Sequence, residues 1–446
     1  MSKTMSRREF VNKSGHAAMG MGAGALLASH LVRGSLARAA GVSASEKIVL
    51  GVIGCGGQGQ GVMREFIQTK MVEVGAVCDV DSDHANEAAQ RAEEAGRKPR
   101  IFKDFRKLLE MKEIDCVLIA TPDHWHALTM IHACEAGKDI YLEKPISHNI
   151  VEGRMMVNAA KKYGRIVQVG TWQRSVGQFI DAIDYVRSGK LGTIQVCRAW
   201  FVNPLGGWLK TIGHQKPQTP PPNLDWDLWL GPAPKVPYTP NRCHFEWRWF
   251  FDYGGGLATD WGVHMIDIVL LGMQVSRAPL AVTAVGGNYA LDDDRDTPDT
   301  MVATFQYPNF VLTWENRFAN GRGLDGGGGH GSEFVGSKGT LIVDREKFQF
   351  FPEGDNKDQP EKKSPGFSHV MNLLECMKTR QQPRSNIESM HLTTKVCHLA
   401  NIAYRTRKRI EWDDENERIT NDSSAMRCES FKRKYRKPWR LPKVTV

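Results

Sequence analysis

The sequence contains no C-x-x-C pair. Its nine cysteines are scattered from Cys55 to Cys428 with no scaffold spacing. An odd, dispersed set argues against a disulfide framework, and several sit inside apolar patterns where a thiol acts as a small hydrophobe. No uninterrupted apolar run is long enough for an ordinary transmembrane helix, so no stable membrane insertion is expected. There are no internal repeats. No nucleic-acid recognition motif accompanies the formal charge of +9, so charge alone makes no case for nucleic acid. About half of that charge lies in residues 1–39, where Lys3, Arg7, Arg8, Lys13, Arg33 and Arg38 face Glu9 alone. The basic cluster Lys432 to Lys443 sits beside Trp439 and reads as a tail packing on the body. No metal site is expected.

What is present is 446 residues, 41% hydrophobic, with 43 glycines. That is globular α/β composition, and too long for one ordinary core. Ser6-Arg7-Arg8-Glu9-Phe10, a mildly apolar stretch from Gly15 to Val32, and Ala37-Arg38-Ala39 follow one another in the order of a twin-arginine signal peptide with an A-x-A cleavage site. Residues 1–39 are therefore set aside as a leader. The expected location is the periplasm or another exported compartment, reached through the twin-arginine machinery.

The chain is organised around Lys47 to Gly61. An apolar strand, Ile48 to Ile53, runs into Gly54-x-Gly56-x-x-Gly59, and a helical pattern follows from Val62 to about Lys70. This is the dinucleotide-binding spacing. The first glycine permits the tight turn, the second lets the backbone approach a pyrophosphate, and the third lets helix and strand pack closely. Gly57 and Gln58 lie in the same turn, and the helix N-terminus offers free N–H groups to phosphate. A second strand, Val72 to Cys78, ends in Asp79, twenty residues after Gly59, where an acid can hold the adenosine ribose. A carboxylate there repels a 2′-phosphate, which favours NAD over NADP. Asp79 could also simply start a turn, with Asp81 and Asp83 as its neighbours.

Strands and helices alternate up to Val169, which predicts a doubly wound parallel sheet. Ligands bind beyond the carboxyl ends of such strands. Thr121, Pro122, Asp123 and His126 follow one strand, and Glu143 and Lys144 follow the next. From about Gly170 the texture changes to a proline- and tryptophan-rich loop and then hairpin signals. The expected fold is an α/β Rossmann domain over 46–170 and an α+β domain over 171–446, built on a large, open, mostly antiparallel sheet.

Two clusters carry chemistry. Lys144, in Glu143-Lys144-Pro145, can hydrogen-bond a substrate hydroxyl and stabilise a developing alkoxide. Asp260 and His264 are four apart after Gly254-Gly255-Gly256, so one helix face would carry both. His264 is the natural proton acceptor, with an ordinary pKa near working pH. Asp260 can hydrogen-bond the substrate or orient the imidazole, and Asp267 could touch it too. Trp172, Gln173, Arg174 and Tyr253 are candidates for lining a substrate pocket, with His126.

These motifs, in this order, resemble the glucose–fructose oxidoreductase/inositol dehydrogenase/rhizopine catabolism (Gfo/Idh/MocA) family. The matching stretches are GVIGCGGQGQG, Ala120 to His126, Glu143-Lys144-Pro145 and Gly254 to Asp267. The resemblance implies a Rossmann domain, an open-sheet domain for substrate binding and oligomer contacts, and an active site of Lys144, Asp260 and His264. It implies a small-molecule carbohydrate substrate and a homo-oligomer. An exported member has no soluble nicotinamide pool, so the NAD is expected to be tightly bound. Two chemistries satisfy that: hydride transfer between sugars or polyols, or redox-assisted glycoside cleavage. A non-catalytic sugar-binding protein on the same fold is the third reading.

Overall fold

The computed structural model describes residues 47–446 apart from 208, 325 and 326; the expected twin-arginine leader lies outside the described residues. Two sheets organise the chain. The first is built from β1 (Ile48–Ile53), α1 (Gly57–Gln68), β2 (Val72–Cys78), α2 (Ser82–Glu94), β3 (Arg100–Phe102), α3 (Phe105–Leu109), β4 (Cys116–Ile119), α4 (Asp123–Glu135), β5 (Asp139–Leu142), α5 (Ile150–Lys162) and β6 (Val167–Val169). Every pairing is parallel and the order is β3-β2-β1-β4-β5-β6. The order reverses between β1 and β4, which opens a crevice at the carboxyl ends of these strands. β4 and β5 are buried throughout, as their unbroken apolar runs require when helices cover both faces.

Helix α1 begins at Gly57, five residues before the apolar periodicity indicates. Its first turn is glycine and glutamine. Apolar spacing registers only turns that pack on a core, so this turn is silent in the pattern. Helices α2 and α5 start at side-chain caps: Asp81 accepts from Asp83 N and Asn149 from Glu152 N.

The second half contains α6 (Gly177–Arg187), β7 (Ile194–Pro204), α7 (Trp226–Leu230), α8 (Gly256–Asp260), α9 (Gly262–Gly272), β8 (Ala281–Gly287), β9 (Thr300–Gln306), β10 (Val311–Ala319), β11 (His330–Gly336), β12 (Gly339–Val343), β13 (Phe348–Pro352), α10 (His369–Thr379), α11 (Ile387–Thr406), β14 (Ile410–Asp413) and β15 (Arg418–Ile419). The sheet order is β13-β12-β11-β7-β10-β9-β8-β14-β15. β7 and β10 run parallel and the other pairs are antiparallel. β9 and β10 alternate buried and open positions, and the buried face of the sheet meets α9 at β7 and β11 and α11 at β8. The other face is open and leaves Val302 and Val311 about two-fifths exposed, at 40% and 41%.

Two later segments return to the first sheet. Helix α10 places Leu373, Leu374 and Met377 in one apolar cluster with Phe66 and Tyr141. In the C-terminal tail, Arg433 pairs with Glu152 at 2.7 Å, and Trp439 meets Trp125 edge-on at 4.8 Å. All nine cysteines are free thiols, eight of them buried.

Candidate active site

The glycine turn is shaped by contact. Gly54 has φ +89°, and a Cβ there would lie 2.6 Å from the carbonyl of Ala120. A Cβ on Gly59 would come within 2.0 Å of the Gly54 oxygen, so α1 lies against β1 only because that position is bare. Gly57 has nothing within 4 Å of its Cβ direction. The turn is tight behind and open in front, which is the cradle a pyrophosphate needs. It floors a cavity of about 600 Å³ that extends to Lys144, Asp260 and His264.

Asp79 ends β2 at one end of this cavity. Its Oδ2 accepts from Cys55 N at 2.6 Å and its Oδ1 from Asp81 N at 2.9 Å. Burial pushes its pKa up, and those two amides oppose the rise. Nearby, Asp81, His84 and His244 bring one ligand atom each within 4.8 Å of one another. The contact at its centre is an ordinary one, His244 Nε2 to Asp81 Oδ2 at 3.1 Å.

At the other end, Lys144 Nζ donates to Asp260 Oδ1 at 2.8 Å and to the Asp260 carbonyl at 2.9 Å. Arg248 Nε reaches the same Oδ1 at 3.3 Å. Burial works to raise the Asp260 pKa, but these two cations hold it below its ordinary value, so the carboxylate stays ionised. Asp123, in the first turn of α4, has the opposite fate. Burial and the neighbouring Asp260 push it well above the carboxylate range, and its Oδ1 has no hydrogen-bond partner. Glu143 is also raised by burial, and its Oε1 accepts from Gln58 Nε2 at 2.9 Å.

His264 is buried, and its Nδ1 makes no hydrogen bond. Burial, then the charges of Lys144 and Arg345, hold its pKa well below the ordinary histidine value. The expectation of a pKa near working pH is thereby corrected. The ring is neutral, with a lone pair available to a proton. A second correction concerns its partners. The helix breaks at Trp261, between α8 and α9, and Asp260 turns to Lys144. Asp267 is engaged by Arg174, through Nε at 2.7 Å and Nη2 at 2.5 Å, and by Thr393. Neither acid orients His264.

The model described as "Oxidoreductase family, NAD-binding Rossmann fold" matches residues 48–171, and "Oxidoreductase family, C-terminal alpha/beta domain" matches 206–441. The chain belongs to the Gfo/Idh/MocA oxidoreductase family. It is 31% identical over 162 residues to Inositol 2-dehydrogenase of Rubrobacter xylanophilus, covering 36% of this chain and 45% of that protein. It is 30% identical over 176 residues to a Glycosyl hydrolase family 109 protein of Saccharopolyspora erythraea, covering 37% of this chain and 38% of that protein. The chain thus spans less than half the length of these curated relatives. The solved WlbA dehydrogenase of Bordetella pertussis, in complex with NADH and UDP-GlcNAcA, superposes with a TM-score of 0.63 at 17% identity, over 82% of this chain and 99% of that one. That likeness concerns the fold.

Within this Gfo/Idh/MocA chain, Gly54, Gly56, Gly57, Gln58 and Asp79 line the cavity, and so do Thr121, Pro122, Glu143 and Lys144. Gly59 serves packing. His126 is turned away: its two nitrogens lie 2.8 Å from the carbonyls of Pro145 and Thr121, bracing the loops after β4 and β5. Of the four substrate candidates only Trp172 lines the cavity. Gln173 stands behind it, Arg174 is locked to Asp267, and Tyr253 is buried against His124 and Trp229. Sequence reasoning missed Arg248, Trp261 and Arg345, which also line it. Each is a single residue with no spacing signal. Only the crowding of Trp and Arg around Trp247-Arg248-Trp249 could have drawn attention to one of them.

Proposed function

We propose that this protein is an exported, NAD-dependent oxidoreductase acting on a hydroxyl of a sugar or polyol, with its nicotinamide held tightly. The observation that carries the reading is the continuity of one cavity from the glycine turn to Lys144, Asp260 and His264. Family membership and the similarity to an inositol dehydrogenase support it. The twin-arginine pattern supports export, and the Asp79 carboxylate supports NAD over NADP. The open face bearing Val302 and Val311 supports self-association.

When bound, the nicotinamide supplies the hydride acceptor or donor. The chain's own groups manage the proton and the charge. His264, held neutral, accepts the hydroxyl proton. Lys144, aimed by Asp260, donates to the oxygen as charge develops on it. Arg248 keeps Asp260 ionised, so Lys144 stays aligned. Trp172, which lines the cavity and is 37% exposed, suits the apolar face of a pyranose.

The test is the near-ultraviolet absorbance of reduced nicotinamide in the purified mature protein, with no cofactor added, before and after a pool of sugars and polyols. Absorbance should rise. His264→Ala and Lys144→Met should abolish the rise while the nucleotide released on denaturation stays equal. Full turnover in both variants would sink the assignment.

A second reading, redox-assisted glycoside cleavage by the same residues, is favoured by the similarity to the glycosyl hydrolase family 109 protein. Release of an aglycone with no net absorbance change would select it.

A further inference from the structure

Arg345 lines the cavity, yet the chemistry above does not use it. It follows β12 by two residues, and its guanidinium lies between two indoles, 4.4 Å from the ring centre of Trp261 and 4.8 Å from that of Trp172. Its Nε and Nη2 reach Gln173 Oε1 at 3.3 and 3.2 Å. Among the described residues, no carboxylate forms an ion pair with it. Burial lowers its pKa to about 10, against Asp260 and Glu346, which raise it.

Asp260 and Glu346 act on it only from a distance. Asp260 is already held by Lys144 and Arg248. Asp123 is pushed toward its neutral form. The substrate end therefore presents Lys144, Arg248 and Arg345 around Asp260, which is held ionised. A half-buried cation without a partner is costly unless a ligand completes it. The geometry says what kind of ligand. One edge of the guanidinium faces Gln173. The end-on edge, Nη1 with the remaining Nη2 proton, is left open, and Nη1 makes no hydrogen bond among the described residues. Two parallel N–H donors fixed by aromatic faces match a planar carboxylate.

We infer that Arg345 is the anion-recognition residue of this site and that the substrate class is a sugar acid, a uronic or aldonic acid. Its carboxylate sits on the open edge of Arg345 while a hydroxyl of the same molecule meets Lys144 and His264. This rests on the oxidoreductase reading above.

The test compares galacturonate, glucuronate and gluconate with galactose, glucose and glucose 6-phosphate, using the protein as purified. Turnover is read by nicotinamide absorbance, and binding separately by calorimetry. Sugar acids should exceed their neutral partners by about ten- to a hundredfold in kcat/KM, mainly through KM, the range of a charge-assisted hydrogen bond. In Arg345→Met that ratio should fall toward one, and Arg345→Lys should restore part of it. Nucleotide content and circular dichroism report whether the variants fold; if they do not, the wild-type panel decides. Equal or better use of neutral hexoses overturns the inference, and preference for the phosphate overturns the carboxylate assignment. If no compound reduces the nicotinamide, the binding arm separates the two readings. Sugar-acid binding that Arg345→Met loses sustains the anion site while the oxidoreductase reading fails. Absence of binding removes the anion site.

Discussion

Asp260→Asn keeps the shape of the side chain and removes the one charge that organises the substrate end. In the native chain, Asp260 Oδ1 lies 2.8 Å from Lys144 Nζ and 3.3 Å from Arg248 Nε. The side chains of Lys144 and Asp260 are 16% and 10% exposed. Breaking a fully buried pair by removing one partner costs about 3–5 kcal/mol. Here the pair borders the cavity and Lys144 keeps the main-chain carbonyl of Asp260 at 2.9 Å, so about 1–3 kcal/mol is expected. The loss should depend on pH. The folded pKa of Asp260 is lowered, so its charge stabilises the fold above the unfolded value of about 3.9, and that contribution disappears as pH falls through the lower folded value. The wild-type advantage over Asp260→Asn should therefore be full at neutral pH and shrink below about pH 4. Denaturant titrations of both proteins at neutral and acid pH measure it. Activity should fall more than stability, because Lys144 loses its alignment. A difference in stability that is the same at both pH values would refute the argument, and so would unchanged turnover.

Other outcomes follow from the same contacts. Gly59→Ala puts a Cβ 2.0 Å from the Gly54 oxygen; overpacking of this kind costs about 1–3 kcal/mol, and nucleotide recovered from the purified variant should drop sharply, which an unchanged nucleotide content would contradict. Glu152 accepts from Arg433 and from the Tyr435 hydroxyl, each at 2.7 Å, and Glu152→Gln should cost about 3–5 kcal/mol and loosen the C-terminal tail, seen as faster proteolysis after Phe431. His264 is held neutral well below its ordinary pKa, so the acid limb of the rate profile should lie below the usual histidine value of about 6.5; a limb at or above that value would remove His264 as the proton acceptor.

What the sequence determined by itself is local. The Gly54-x-Gly56-x-x-Gly59 turn, the Asp79 terminus and the alternation of strand and helix each depend on residues a few positions apart, so spacing alone carries them. Lys144 and His264 were also legible, because Glu143-Lys144-Pro145 and the run from Gly254 to Asp267 keep a recognisable order. The tertiary structure decided the rest. It gave Asp260 to Lys144 across 116 positions rather than to His264 four residues on, because the helix breaks at Trp261. It turned His126, Arg174 and Tyr253 away from the cavity and brought in Arg248, Trp261 and Arg345. It also set the charge states. Asp260 and Asp123 are the same residue type in the same cavity, one held ionised by two cations and the other driven neutral by burial. Which carboxyl group meets a cation depends on how the two sheets dock, and no local pattern records it.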